Sequence, residues 1–341
     1  MHLSLRIITT ILIVFPLISC VKDAKEVTIE EDSNSDKVSD ISLLSWAEDP
    51  KNRIESWVNT VTDSSSSNFI PVEDRIAVFD NDGTLWPEQP WPNQLQFALD
   101  YVKAKINERP NWQTDPFLTQ ISKGDYSVLE KARKEDVYNL VYASHAGMTE
   151  SEFKEAVMKW MDTATNKKYT RKFNELVYSP MLELLEYLRQ NQFKTFIVSG
   201  GGADFMRVFA EEVYGIPPYQ VIGSYGDTSF EFVDGNPIIS KIEGDIFYDD
   251  KEAKPIAIHR FIGKRPVFVG GNSDGDQAMM EYASASNYNT LCVLLHHTDE
   301  EREYAYDKKT LSGHMETALE MAKEKNWLVV DMKKDFLSIF P

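Results

Sequence analysis

Two aspartates one residue apart, Asp80 and Asp82, end an apolar run in the stretch IAVFDNDGTLWPEQPWPN, which begins at Ile76. Alternate residues of an extended segment face the same side, so the two carboxylates project alike while Asn81 turns away. Such a pair repels unless a cation or a shared proton relieves it. Magnesium, a hard and oxygen-seeking ion, would do so. Farther along, Ser199 is followed by Gly200, Gly201 and Gly202 in SGGGADF. Glycines let the backbone approach a ligand closely, and the start of a following helix favours an anion. Lys254 lies in AKPIAI, with Lys251 three residues before it as a rival cation. Asn272, Asp274 and Asp276 follow in the acidic loop GNSDGDQAMM. These residue types suit the holding of an anion beside a metal ion.

The elements that must carry them are legible as apolar runs of strand length. RIAVF, FKTFIV, RPVFVG, NTLCVLL and WLVVDM alternate with helical patterns such as PMLELLEYLRQ, ADFMRVFAEEVYG and AKPIAIHRFIG. Continuous apolar strands alternating with helices define an α/β fold, a Rossmann-like parallel sheet covered on both faces. Ligands of such sheets bind at the carboxyl ends of the strands. Asp80, Ser199 and the loop from Asn272 to Asp276 each follow a strand, so all would share one rim. A dinucleotide reading of the glycines is weak, because Phe205 stands where a small residue is wanted and the first strand lies elsewhere.

A formal net charge of −18 over 341 residues argues against nucleic acid, whose phosphates need clustered Lys and Arg. It permits a small phosphorylated substrate, because a bound metal inverts the local field. The N-terminus MHLSLRIITTILIVFPLISC has a short basic start and an apolar run too short to span a membrane comfortably. Its ending, LISC, resembles a bacterial lipobox, which implies cleavage before Cys20 and lipidation of that thiol. Residues 1–20 are then a signal peptide, residues 21–42 a flexible acidic tether, and the protein a membrane-anchored lipoprotein outside the cytoplasm. Cys292, in an apolar run, is left without a disulfide partner and reads as an inert core residue.

FDNDGTLW, IVSGG, the lysine of AKPIAI and GNSDGDQAMM resemble, in order, the four motifs of the haloacid dehalogenase superfamily. The likeness is to its phosphatases, nearest the phosphoserine-phosphatase-like branch, and extends from about Arg75 onward. DNDGTLW together with HHTDEEREYAYD is also similar to a less characterised bacterial group. The resemblance implies that Asp80 is a nucleophile forming an aspartyl-phosphate, and that Asp82 is the general acid and base and offers its carbonyl to the metal. Ser199 and Gly200 would hold phosphate oxygens, and Lys254 would neutralise charge on the nucleophile and the phosphoryl group. The fourth motif departs from the pattern. Asn272 stands where a metal-binding aspartate is usual, Asp276 matches the second aspartate, and Asp274 is a candidate for the missing carboxylate. Dehalogenases lack an acid at the second position, so Asp82 favours a phosphatase.

The resemblance also implies a helical cap, residues 86–175, inserted into a core of residues 43–85 and 176–341. Glu88 is a candidate for a substrate amine or an ordinary exposed glutamate. Trp86 and Trp91 would line the entrance or pack the cap. His145 precedes a plausible helix and reads as a turn residue, His259 shows no evident role, and His296 and His297 end a strand on the active rim, where they are candidates for contact with substrate or with the residues that hold it. SFEFVDGNPIIS reads as a hairpin turning at Asp234-Gly235. The expected function is a magnesium-dependent phosphomonoester hydrolase acting on a small metabolite. A phosphotransferase of the same fold and a catalytically weak binding lipoprotein are the alternatives.

Overall fold

In the computed structural model, residues 42–310 and 312–341 are described, and the signal peptide, nearly all of the tether, and Cys20 lie outside them. Seven strands form one sheet in the order β6-β5-β4-β1-β7-β8-β9. They are β1 (Ile76–Phe79), β4 (Lys194–Gly202), β5 (Val221–Val233), β6 (Asn236–Phe247), β7 (Phe268–Gly271), β8 (Leu291–His296) and β9 (Leu328–Asp331). Every pairing is parallel except β5 with β6. A separate two-stranded ribbon joins β2 (Thr165–Asn166) to β3 (Arg171–Lys172).

Period-two alternation sends the central strands' side chains to two cores. Ala77, Phe79, Ile197, Phe268, Val293 and Leu295 join the core on one face, while Ile76, Val78, Val198, Val269, Cys292 and Leu294 join the other. The first face is closed partly by the helix Glu48–Thr62, whose buried Ile54, Trp57, Val58 and Val61 fall at helical spacing. Burying each such aliphatic side chain stabilises the fold by roughly 1.5–3 kcal/mol. No helix among the described residues is long and apolar enough to cross a membrane.

Between β1 and β4 the chain is mainly helical, with its longer helices at Asn93–Lys105, Lys134–His145 and Glu150–Thr163. A third core, including Leu95, Leu99, Val102, Trp112 and Leu140, belongs to this insertion. The expected hairpin is present, with Asp234 and Gly235 both at positive φ, and it continues the sheet from β5 into β6. It braces the insertion: Gly147 N donates to Lys241 O, Lys241 N donates to Met148 O, and Lys241 pairs with Asp204.

His145 lies under this contact, 3% exposed, with its ring centroid 4.5 Å from that of Phe153. Burial, helped by the charge of Lys241, pushes its imidazole down to about 3. The unfolded chain therefore takes up a proton near pH 6.5 that the folded chain refuses until about pH 3. Stability is fully present above pH 6.5 and falls with pH through that window, by at most about 1.4 kcal/mol per unit. His145→Gln is expected to flatten this acid limb of urea-measured stability against pH. An unchanged limb would assign it to other groups.

Candidate active site

The catalytic rim begins where β1 stops. Asp80 N still donates to Gly270 O at 3.0 Å, continuing the ladder for one residue. The chain then turns tightly: Asn81 O accepts from the amides of Thr84 (3.1 Å) and Leu85 (2.8 Å), and Gly83 N donates to Trp86 O at 2.8 Å. Gly83 sits at φ +77°, a conformation that strains any residue with a Cβ. Asn81 is buried, and neither side-chain polar atom finds a partner among the described residues.

Asp80 is 7% exposed, and Lys254 Nζ lies 2.9 Å from its Oδ1. That contact is an ion pair whose angles fall outside hydrogen-bond geometry. Lys254 is itself buried, on the short helix Ala253–Ala257, and reaches Asp276 Oδ1 at 2.5 Å. Lys251 is exposed, so Lys254 is the lysine turned inward. Asp276 is anchored in turn: its Oδ2 accepts from the amides of Asn272 (2.9 Å) and Ser273 (3.0 Å).

On the opposite side, β4 loses its register with β5 between Ser199 and Gly202. The bulge folds Gly201 N back onto Ser199 Oγ at 3.2 Å. A Cβ at Gly201 would stand 3.2 Å from Asp82 Oδ2 and 3.5 Å from Ser199 Oγ, so the carboxyl and the hydroxyl converge over bare backbone. The helix expected after the glycines is broken into Ala203–Arg207 and Ala210–Tyr214. Gln94 of the insertion accepts from Gly202 N at 2.7 Å and ties the two parts together.

Burial, opposed by Lys254 and reinforced by Asp276 and Asp82, pushes the Asp80 carboxyl up to about 7. Burial likewise lifts Asp82 to about 6, against the hydrogen bond from Trp86. Although burial alone would lower Lys254, Asp276 and Asp80 hold its ammonium above the usual lysine range. Asp249, whose carboxylate finds no hydrogen-bond partner among the described residues, is raised by burial to about 7.

Two candidates have surroundings the sequence does not show. Asp274 lines the cleft, but its Oδ1 accepts from the amides of Glu316 (3.0 Å), Thr317 (3.0 Å) and Ala318 (2.9 Å), capping the helix Ala318–Lys325. A carboxylate at a helix start satisfies orphan N–H groups, which explains the choice. Glu88 is not an exposed glutamate. It is 2% exposed and lines the same cleft as Asp80 and Asp82.

Two residues singled out from the sequence support the site through contacts that only the structure shows. Trp86 is fully buried, stacks on Phe209 and donates Nε1–H to Asp82 Oδ1 at 2.8 Å, so it orients that carboxyl. His297 shares its Nε2 with Gly83 O at 2.7 Å and its Nδ1 with Glu303 Oε2 at 3.1 Å. Its ring stacks on Tyr306 at 4.3 Å. The segment HHTDEEREYAYD thus braces the loop after β1, in keeping with its pairing with DNDGTLW and with His297 on the rim.

Among the described residues no three His, Cys, Asp or Glu side chains form a metal-ligand cluster. The site nevertheless fits a hard cation. Asp80, Asp82 and Glu88 share the cleft, and Lys254, the buried cation beside them, is already divided between Asp80 and Asp276. Carboxylates crowded in this way call for positive charge.

The profile of the haloacid dehalogenase-like hydrolases matches residues 77–281, more than half of the chain. The protein belongs to this family of hydrolases. No curated protein matches it. Among solved structures, a functionally unknown protein from Anaerococcus prevotii DSM 20548 is 17% identical, with 75% of this chain and 87% of that one covered and a TM-score of 0.49. A phosphoserine phosphohydrolase-like protein from Francisella tularensis is 15% identical, with coverages of 65% and 87% and a TM-score of 0.36. Phosphoserine phosphatase from T. onnurineus is 16% identical, with coverages of 76% and 98% and a TM-score of 0.34.

Proposed function

We propose that the protein is a magnesium-dependent phosphomonoesterase acting through an aspartyl-phosphate on a small phosphorylated metabolite. The observation that carries this reading is the buried Asp80–Lys254 pair facing Asp82 and Ser199 across one cleft. A carboxylate oxygen of Asp80 attacks phosphorus, the ester P–O bond breaks, and Asp82 gives its proton to the departing alkoxide. The raised Asp82 carboxyl is suited to hold that proton. Water then attacks phosphorus as Asp82 takes its proton back, the bond to Asp80 breaks, and inorganic phosphate leaves. Dividing the transfer replaces one hard step with two easier ones. Ser199 Oγ and the bulged glycines would hold phosphoryl oxygens, and Lys254 offsets their charge. Asp80, the carbonyl of Asp82 and Asn272 would hold magnesium, which when bound supplies Lewis-acid neutralisation of the phosphoryl charge.

The cleft encloses about 740 Å³ and is walled by the insertion as well as by the sheet rim, with Leu95, Val141 and Tyr142 from the former. We read residues 86–175 as a cap that excludes water and selects the substrate. Lipidation at Cys20 would hold the enzyme on a membrane outside the cytoplasm.

The purified protein, tested on a panel of phosphate esters, is expected to release inorganic phosphate with magnesium, fall silent in EDTA and recover on re-addition. Full activity in excess chelator would remove magnesium from the reading. Transfer to added alcohols in preference to water would make the protein a phosphotransferase.

A further inference from the structure

Asn272 leaves the cation site one negative charge short of the family pattern, and Asp274 is spent on a helix cap. The carboxylate that stands beside Asn272 comes from 184 residues earlier in the chain: Glu88 Oε1 accepts from Asn272 Nδ2 at 2.6 Å. The other end of the amide is fixed too, because Asn272 Oδ1 accepts from Thr84 Oγ1 at 3.1 Å. The carboxylate end, which accepts, orients the amide, and the Thr84 hydroxyl can donate to the oxygen that then faces it. Tyr306 OH donates to the same Glu88 oxygen at 2.8 Å and keeps the carboxylate in place. The pair rests directly on the nucleophile loop, since a Cβ at Gly83 would strike both Asn272 Nδ2 and Glu88 Oε1.

We propose that Glu88 and Asn272 act as a dyad replacing the missing metal-binding aspartate, with Glu88 supplying the charge and Asn272 the ligating oxygen. Burial pushes the Glu88 carboxyl well above the usual glutamate range, against the hydrogen bond from Tyr306, and a cation beside it would favour its charged form. A carboxylate accepting from an amide N–H draws negative charge onto the amide oxygen, much as hydrogen-bonded partners raise the basicity of metal ligands. Asn272 Oδ1 retains a second lone pair beyond the one used by Thr84. Asp80 and Asp82 line the same cleft, and two carboxylates crowded there independently call for positive charge. Glu88 is on this account a positioning residue for Asn272, and a substrate amine is not needed to explain its burial.

The inference rests on the cation site of the proposed function, and the test separates the two. Magnesium binding is measured by titration calorimetry on metal-free protein, without substrate. Glu88→Gln is expected to weaken binding by roughly 10- to 100-fold, the usual cost of losing such an outer partner. The exchange Glu88→Gln with Asn272→Asp moves the charge by one residue while keeping one N–H···O contact between the two side chains. It is expected to recover binding to within about tenfold of wild type. If Glu88→Gln does not fold, Glu88→Asp, which keeps the charge but withdraws it from Asn272 Nδ2, is measured in its place; it is expected to weaken binding by about tenfold, and unchanged affinity there overturns the dyad. Unchanged affinity in Glu88→Gln, or a folded double variant no better than Glu88→Gln, overturns the dyad alone. Wild-type protein that binds no magnesium overturns the cation site as well.

Discussion

Asp80→Asn is expected to remove turnover by a factor on the order of 10⁴ or more, the scale seen when a covalent nucleophile is deleted. The amide cannot open the two-step path, and no neighbouring group replaces it. Ser199 Oγ accepts from Gly201 N, and the Asp82 carboxyl is held by Trp86 for proton transfer. The substitution should leave the fold intact, because Asp80 Oδ1 already lacks a hydrogen bond and Lys254 keeps its contact with Asp276. Initial rates on the best ester of the panel, beside a thermal melt, would check this. Retention of more than about a hundredth of wild-type kcat would exclude an aspartyl-phosphate, given the size of such losses.

Lys254→Met is expected to have the largest effect on stability, about 3–5 kcal/mol, because it strips the cation from a buried group of acids. Lys254 is 2% exposed and contacts Asp80 at 2.9 Å and Asp276 at 2.5 Å. Methionine fills a similar space but leaves Asp276 a charge to bury or a proton to take up, and protonation would weaken its grip on the amides of Asn272 and Ser273. Urea denaturation in EDTA measures the change without a bound cation to offset it. A loss below about 1 kcal/mol would mean that the acids are already neutral and that Lys254 is not their balancing charge.

The catalytic order along the rim was open to sequence reasoning because it depends on local rules. Apolar runs of strand length, broken by helical spacing, specify a parallel sheet, and the carboxyl ends of its strands specify where Asp80, Ser199 and the loop at Asn272 gather. β1, β4 and β7 lie side by side at the centre of the sheet, as that rule requires. Lys254 was preferred to its rival Lys251 on motif order, and the structure supplies the physical reason: Lys251 lies before the helix Ala253–Ala257, at φ +53°, and is exposed.

Asp274 and Asp276 are two residues apart in one acidic loop, and sequence treats them nearly alike. The tertiary structure gives one to the amides at 316–318 and the other to Lys254, because each carboxylate goes to the nearest unpaired donors in space. Glu88 reads as a surface residue because glutamates usually are. Only the meeting of the loop after β1 with the one after β7, and with Tyr306 beyond β8, shows it enclosed. Trp86 and His297 follow the same logic, one fixing Asp82 and the other the carbonyl of Gly83. The sequence by itself thus determined the fold class and the residues that face the substrate rim, since periodicity and strand ends are properties of short segments. The partners that orient those residues, and the carboxylate beside Asn272, were decided by the tertiary structure, since hydrogen bonds between distant segments leave no periodic trace in the chain.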